Sequence, residues 1–183
     1  MQVWRTLEGY GRSVARGRRV VWLYVLSGIV MLSVGVAEAR IIRIEITSVE
    51  SPTFDGRIFG RVGPYEKLRG KAYGEVDPTD PHNAVITDIE LAPRNANGMV
   101  EYSMDIFILK PVDLRRGNHH VFLDMNNRGT MLGPFLNDAG PTNNPTAAAD
   151  AGSGFLMNQG YAVVGNGWDF GPTSENGRLT ISL

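Results

Sequence analysis

The sequence predicts an α/β protein whose sheet is incomplete: a β-rich antiparallel region leading into the first strands of a parallel sheet. Three observations predict it. Segments up to about residue 115 alternate apolar and polar residues at period two, the spacing of a half-buried strand, and none carries a convincing helical period. Two short apolar runs, "VFLDM" (121–125) and "YAVVG" (161–165), then flank a long crossover, the arrangement of parallel strands. The composition, 43% hydrophobic and 20% charged, is that of a globular chain. A net charge of -1 supplies no electrostatic reason for a nucleic-acid partner.

The first 39 residues stand apart from this fold. "MQVWRTLEGYGRSVARGRR" sets Arg5, Arg12, Arg16, Arg18 and Arg19 against Glu8, and the uncharged "VVWLYVLSGIVMLSVGV" (20–36) follows. Ala37 and Ala39 then form an A-x-A site. A basic leader, an apolar run and small residues at a cleavage site describe a secretory signal peptide, cut after Ala39. The other reading is an uncleaved anchor through residues 20–36, at the short limit of about 17 residues for a spanning helix. In either case the arginines hold the N-terminus in the cytoplasm and residues 40–183 are exported, periplasmic, secreted or membrane-anchored. Removing residues 1–39 takes five of the 18 basic and two of the 19 acidic groups, leaving 13 and 17 and a formal charge of -4. With no cysteine, a disulfide framework is excluded and packing alone must hold the exported part.

Residues 40–115 form the β-rich region. "RIIRIEITSVES" (40–51) alternates Ile42, Ile44 and Ile46 with Arg43, Glu45 and Thr47, a half-buried strand. "GPYEKLRGKAYGEVDP" (63–78) is strand-like but carries Gly70 and Gly74, which suggests an edge or bulged strand. "DPTDPHN" (77–83) is a loop, since each proline restricts its predecessor. "AVITDIELAP" (84–93) and "MVEYSMDIFILKP" (99–111) flank an Asn97-Gly98 pair, the signature of an antiparallel hairpin. That pairing predicts burial of Ile86, Ile89, Leu91, Tyr102, Ile106 and Ile108.

Residues 116–183 begin the parallel sheet. "VFLDM" has the pattern of a strand covered on both faces, and the Gly-, Asn-, Pro- and Ala-rich segment 129–154 is too long for an ordinary connection. "GFLMNQG" (154–160) is a brief helical turn before "YAVVG". "GRLTISL" (177–183) alternates like a strand up to the last residue, so the chain is expected to stop within an element.

Two corners at strand ends are candidate sites. Backbone N–H groups in "NNRG", Asn126 to Gly129, could form an oxyanion hole, the preorganised donors that stabilise charge on a tetrahedral intermediate. The same tetrapeptide is equally the material of a plain turn whose asparagines bond their own backbone. In "GNGWDFG" (165–171) the third glycine falls one place late for G-x-G-x-x-G and no helix follows, so no dinucleotide site is expected; Trp168 and Asp169 are pocket candidates instead. Asp77, Asp80, Asn83 and Asp88 lack EF-hand spacing, and His82, His119 and His120 lack zinc spacing, so neither metal nor cofactor is expected.

Together "ITDIELAPRNANGMVEYSMDIFILKPVD", "VFLDMNNRG" and "DAGSGFLMNQGYAVVGNGWDFG" resemble the start of a family of exported bacterial α/β-hydrolase-domain proteins, from about residue 41 to the C-terminus. The resemblance implies a β-rich N-terminal region before an α/β-hydrolase-type sheet, an ester-type small-molecule substrate for the complete enzyme, and an oxyanion-hole role for Asn126, Asn127 and Gly129. Catalysis in such enzymes needs a G-x-S-x-G elbow and a triad in the order Ser, Asp or Glu, His. "DAGSG" around Ser153 has Ala151 in place of the first glycine, and no histidine follows Ser153, Ser174 or Ser182. Ser103 lies inside a strand without glycine flanks. The expectation is therefore an N-terminal portion of an exported hydrolase, without nucleophile or triad of its own. The alternative is a self-sufficient β-rich binding module, secreted or held by residues 20–36.

Overall fold

The computed structural model of the chain describes residues 39–171 and 177–183. The leader, whether cleaved or anchoring, lies outside the described residues except for Ala39. Among the described residues the chain builds one β-rich, mostly antiparallel sheet of six strands with a few single-turn helices. The strands are β1 (Arg40–Glu50), β2 (Tyr65–Val76), β3 (Val100–Pro111), β4 (Val121–Asp124), β5 (Ala162–Asn166) and β6 (Ile181–Ser182). Their order is β1-β2-β3-β5-β4, with β6 pairing with the start of β3. Among the described residues only β4 and β5 are parallel, as the two apolar runs predict. Between them lie the turns α1 (Gly133–Leu136) and α2 (Phe155–Asn158), the second where "GFLMNQG" predicts it.

The register fixes what each face carries, because directly paired residues point to the same side. One face presents Tyr65, Phe107, Leu109 and Val163 to a core completed by Phe54, Phe59, Met131, Leu156, Met157 and Leu179. Residues from both halves of the sequence share this core. Tyr65 is fully buried, with its hydroxyl 3.1 Å from the Met157 carbonyl and 2.9 Å from that of Tyr161. Burial pushes its phenol far above the ordinary value, so it remains a protonated donor.

The opposite face is covered at one end, where Ile89 packs on Val76 and Val100, and is left open by the described residues over much of the rest. Val49 pairs with Leu68, Leu68 with Ile108, Ile108 with Val164, and Val164 with Leu123, so one aliphatic row crosses five strands. None of the five is buried, and the end members Val49 and Leu123 are 59% and 53% exposed.

Several sequence expectations change for this reason. β1 is not half-buried but exposed along nearly its whole length, with Ile44 at 55%, because it is the sheet edge and its apolar side belongs to the open face. β4 is not covered on both faces: Asp124 is buried on the core side while Val121 and Leu123 stand open at the other edge. β2 is not an edge strand; it lies between β1 and β3, and the register shifts fall between Ile41 and Arg43 and between Ile46 and Ser48, both in β1. Gly70 serves close approach instead, since a Cβ there would lie 1.9 Å from the Glu45 carbonyl oxygen.

The expected hairpin over 84–111 does not form. β3 pairs with β2 in unbroken register from Val76–Val100 to Tyr65–Pro111, and residues 84–93 lie in 3-10 turns, Pro81–Val85 and Ile89–Leu91. Local chemistry explains it. Asp80 accepts the His82 N–H and caps the first turn, and Asp88 sits in the left-handed region at φ 57°, which breaks the run. Ile89 still packs against Val76 and Val100, and Ile106 is buried, but Ile86 and Leu91 are exposed and Tyr102 and Ile108 only half-buried. The Asn97-Gly98 turn is present, closed by Gly98 N–H to Asn95 carbonyl at 2.9 Å, but it leads into β3 from a loop rather than a strand.

Candidate functional site

Because β4 and β5 are parallel neighbours, the loops after them leave the sheet side by side. All five residues singled out in the sequence therefore meet in one corner. Asn126 is buried and ties the loops together: its Nδ2 donates to the Asn166 carbonyl at 2.7 Å, and its own carbonyl accepts from Trp168 Nε1 at 2.9 Å. Its Oδ1 accepts the Gly129 N–H at 2.9 Å. Asn127 and Thr130 exchange backbone bonds of 2.8 and 2.9 Å. Gly129 adopts φ 82° beneath the Leu179 carbonyl, where a Cβ would come within 2.5 Å, so the position requires glycine.

As folded, the corner is a closed turn. The N–H groups of Asn127 and Gly129, which an oxyanion would need, are engaged by the Thr130 carbonyl and by Asn126 Oδ1. An anion could reach them only after those bonds opened. Asp169 turns away to the rim, where Arg128 Nε donates to it at 3.1 Å. The Gly171 N–H at 2.7 Å, with Arg128, holds its carboxyl below the usual range.

Trp168 does line a pocket. It is 49% exposed and forms one wall of an apolar groove of about 740 Å3 on the largely uncovered side of the sheet. Tyr102 and Met104 form part of its floor, Ile86 and Leu91 come from the turn segment, and Phe170 continues the Trp168 wall. A volume of this size lies within the roughly 300–1,000 Å3 usual for small-molecule sites. The sequence did not reveal it, because its walls come from segments about 80 residues apart and depend on 86–93 not being a strand. A second, polar cavity of about 420 Å3 holds Lys67, Arg69, Lys71 and Arg178. There Lys67 Nζ is 2.8 Å from Glu50, and Lys71 Nζ is 3.0 Å from Asp105.

Two carboxylates outside the candidate corners organise the neighbourhood. Buried Asp124, the one acid in "VFLDM", accepts the Leu132 N–H at 2.9 Å and the Gly133 N–H at 2.6 Å, and so fixes the loop after the corner. Asp105 on β3 accepts the N–H and hydroxyl of Thr180 at 2.9 and 3.0 Å, besides Lys71. Burial works against its ionised form, but these bonds outweigh it and hold its carboxyl below the ordinary range.

No nucleophilic arrangement assembles among the described residues. Ser103 Oγ lies 3.0 Å from Ser182 Oγ, and the Ser153 N–H donates to the Asn137 carbonyl at 2.6 Å. His82 Nδ1 is 2.8 Å from Asp80, while His120 packs beside Tyr161. Among the described residues no serine hydroxyl is bonded to a histidine, no group of acids and histidines could hold a metal, and no helix is long and apolar enough to cross a membrane. Compared with protein-family models, curated proteins and solved structures, the chain matches none.

Proposed function

We propose that this chain is the N-terminal part of an exported α/β-hydrolase, esterase-like in its complete form, contributing a sheet and a substrate-side corner but no nucleophile. The observation that carries the reading is the aliphatic row Val49-Leu68-Ile108-Val164-Leu123 on a face that the described residues leave open, next to a parallel pair at the sheet's edge. Parallel strands are apolar on both faces because helices and further strands cover both sides. In this reading the Asn126–Gly129 corner is the oxyanion-hole loop, and it becomes competent when the Gly129 N–H leaves Asn126 Oδ1. The substrate is an ester-type small molecule that approaches past Trp168.

Two measurements test it. The DNA downstream should encode, in the same or an adjacent frame, a G-x-S-x-G elbow followed by a late histidine; an unrelated gene there overturns the reading. The exported chain alone should hydrolyse p-nitrophenyl esters no faster than background. An oxyanion hole and binding without a full triad give residual accelerations of roughly 10³–10⁴-fold over water in serine hydrolases that are complete otherwise, and here the hole itself is closed. Turnover abolished by Ser103→Ala or Ser153→Ala would reveal a nucleophile and sink the proposal. The Trp168 groove favours a second reading, a β-rich module that binds an apolar ligand without catalysis, and an unrelated downstream gene would leave that one standing.

A further inference from the structure

The groove beneath the turn segment 86–93 shares the Trp168 wall past which the proposed ester substrate approaches, and its chemical bias deepens that reading, on which it rests. Its walls are aliphatic and aromatic, and among the described residues no lysine, arginine or histidine lines it. Its one acidic side chain is Asp88, and the neutral side chains able to hydrogen-bond are Thr87, Tyr102, Asn166 and Trp168, whose indole N–H is already given to the Asn126 carbonyl. A buried or half-buried anion needs a cation or several aimed donors to offset its desolvation, and a carboxylate in the wall makes its entry worse. We infer that this groove binds an uncharged amphiphile, an apolar chain or ring carrying one neutral hydrogen-bonding group such as an ester or alcohol, and excludes the corresponding carboxylate. Tyr102 suits the neutral head group. Its ring covers Gly74, where a Cβ would lie 2.2 Å from Cζ, so it is seated over a residue with no side chain to displace it. Desolvation raises its phenol above the ordinary value, which keeps it a donor.

The flat aliphatic row elsewhere on the same face lacks these walls, and this difference makes the inference testable. The chain has three tryptophans, so Trp4→Phe with Trp22→Phe leaves Trp168 as the one fluorescent reporter whether or not the leader is retained. Methyl octanoate, added below its solubility limit to the soluble monomer at pH 7, should shift Trp168 emission to the blue and saturate. Octanoate should bind at least ten-fold more weakly. Asp88→Asn, which suits the left-handed backbone at that position, should narrow that gap. Leu91→Asp, at a position 77% exposed and therefore tolerant, should weaken ester binding about ten-fold. Leu123→Asp, on the flat face, should not. Absence of a saturable shift, equal binding of ester and carboxylate, or equal losses from Leu91→Asp and Leu123→Asp would each overturn the inference. None of these outcomes depends on esterase activity.

Discussion

Asn126 and Asn127 are chemically identical neighbours with opposite duties. Asn126 is buried, gives its amide N–H to Asn166 and takes the Gly129 N–H on its oxygen. Asn127 is exposed, and it is its backbone that takes part in the turn. Leaving a buried donor or acceptor unpaired costs about 1–3 kcal/mol, whereas exposed substitutions away from such features stay within about 0.5 kcal/mol. Asn126→Ala should therefore lower unfolding free energy by about 2 kcal/mol in urea titrations, and Asn127→Ala should leave the midpoint nearly unchanged. Equal effects would mean that the closed turn is not what holds this corner.

At the level of elements, Asp105 joins three of them. It receives Lys71 from β2 and Thr180 from the segment entering β6, and its backbone carbonyl accepts the Gly167 N–H from the corner after β5. Its carboxyl titrates below the ordinary value in the folded state, so the unfolded chain binds the proton more readily. The stability it contributes is therefore fully present above the unfolded value of about 3.9 and is lost as pH falls through the lower folded value. Asp105→Asn should reduce the urea midpoint at pH 7, and the gap between wild type and variant should shrink as the pH drops below about 4. A gap that persists undiminished at low pH would assign the effect to packing instead. This residue also marks the limit of sequence reading. The strand through "SMDIFILKP" and the parallel pair "VFLDM" and "YAVVG" were legible, because their pattern belongs to the strands themselves. Residues 84–93 alternate just as well, yet one side of β3 is taken along its whole length by β2 and the other is shared by β5 and β6, and Asp88 and the capped turn at Asp80 bend the segment away. Burial in β1 was illegible for a related reason: Ile42, Ile44 and Ile46 alternate correctly, but among the described residues nothing packs over them. The corner of Asn126, Gly129 and Trp168 was legible as Asn, Gly and Trp at strand ends. The groove was not, since no local pattern encodes walls drawn from segments so far apart.

For the molecule as a whole, the open face and its two edges govern behaviour in solution. Among the described residues β1 and β4 are the two edges of the sheet, and each edge adjoins the aliphatic row that Val49 and Leu123 terminate. Exposed strands of this kind recruit other chains, and natural proteins blunt them with lysine or proline; β4 carries neither, and Val121 and Leu123 are both exposed. If nothing covers this side, the chain should self-associate through it. Light scattering after size exclusion should show oligomers or aggregate growing with concentration. The double substitution Val121→Lys with Leu123→Lys should shift the population towards monomer without changing the far-ultraviolet circular dichroism, because both side chains point away from the core that Tyr65 and Phe107 fill. The same pair placed on the covered face would unfold the protein, so retained structure is itself part of the expected result. A wild-type chain that stays monomeric at every concentration, with lysine variants indistinguishable from it, would mean that this face is already satisfied. The observation that carries the proposed function would then be gone.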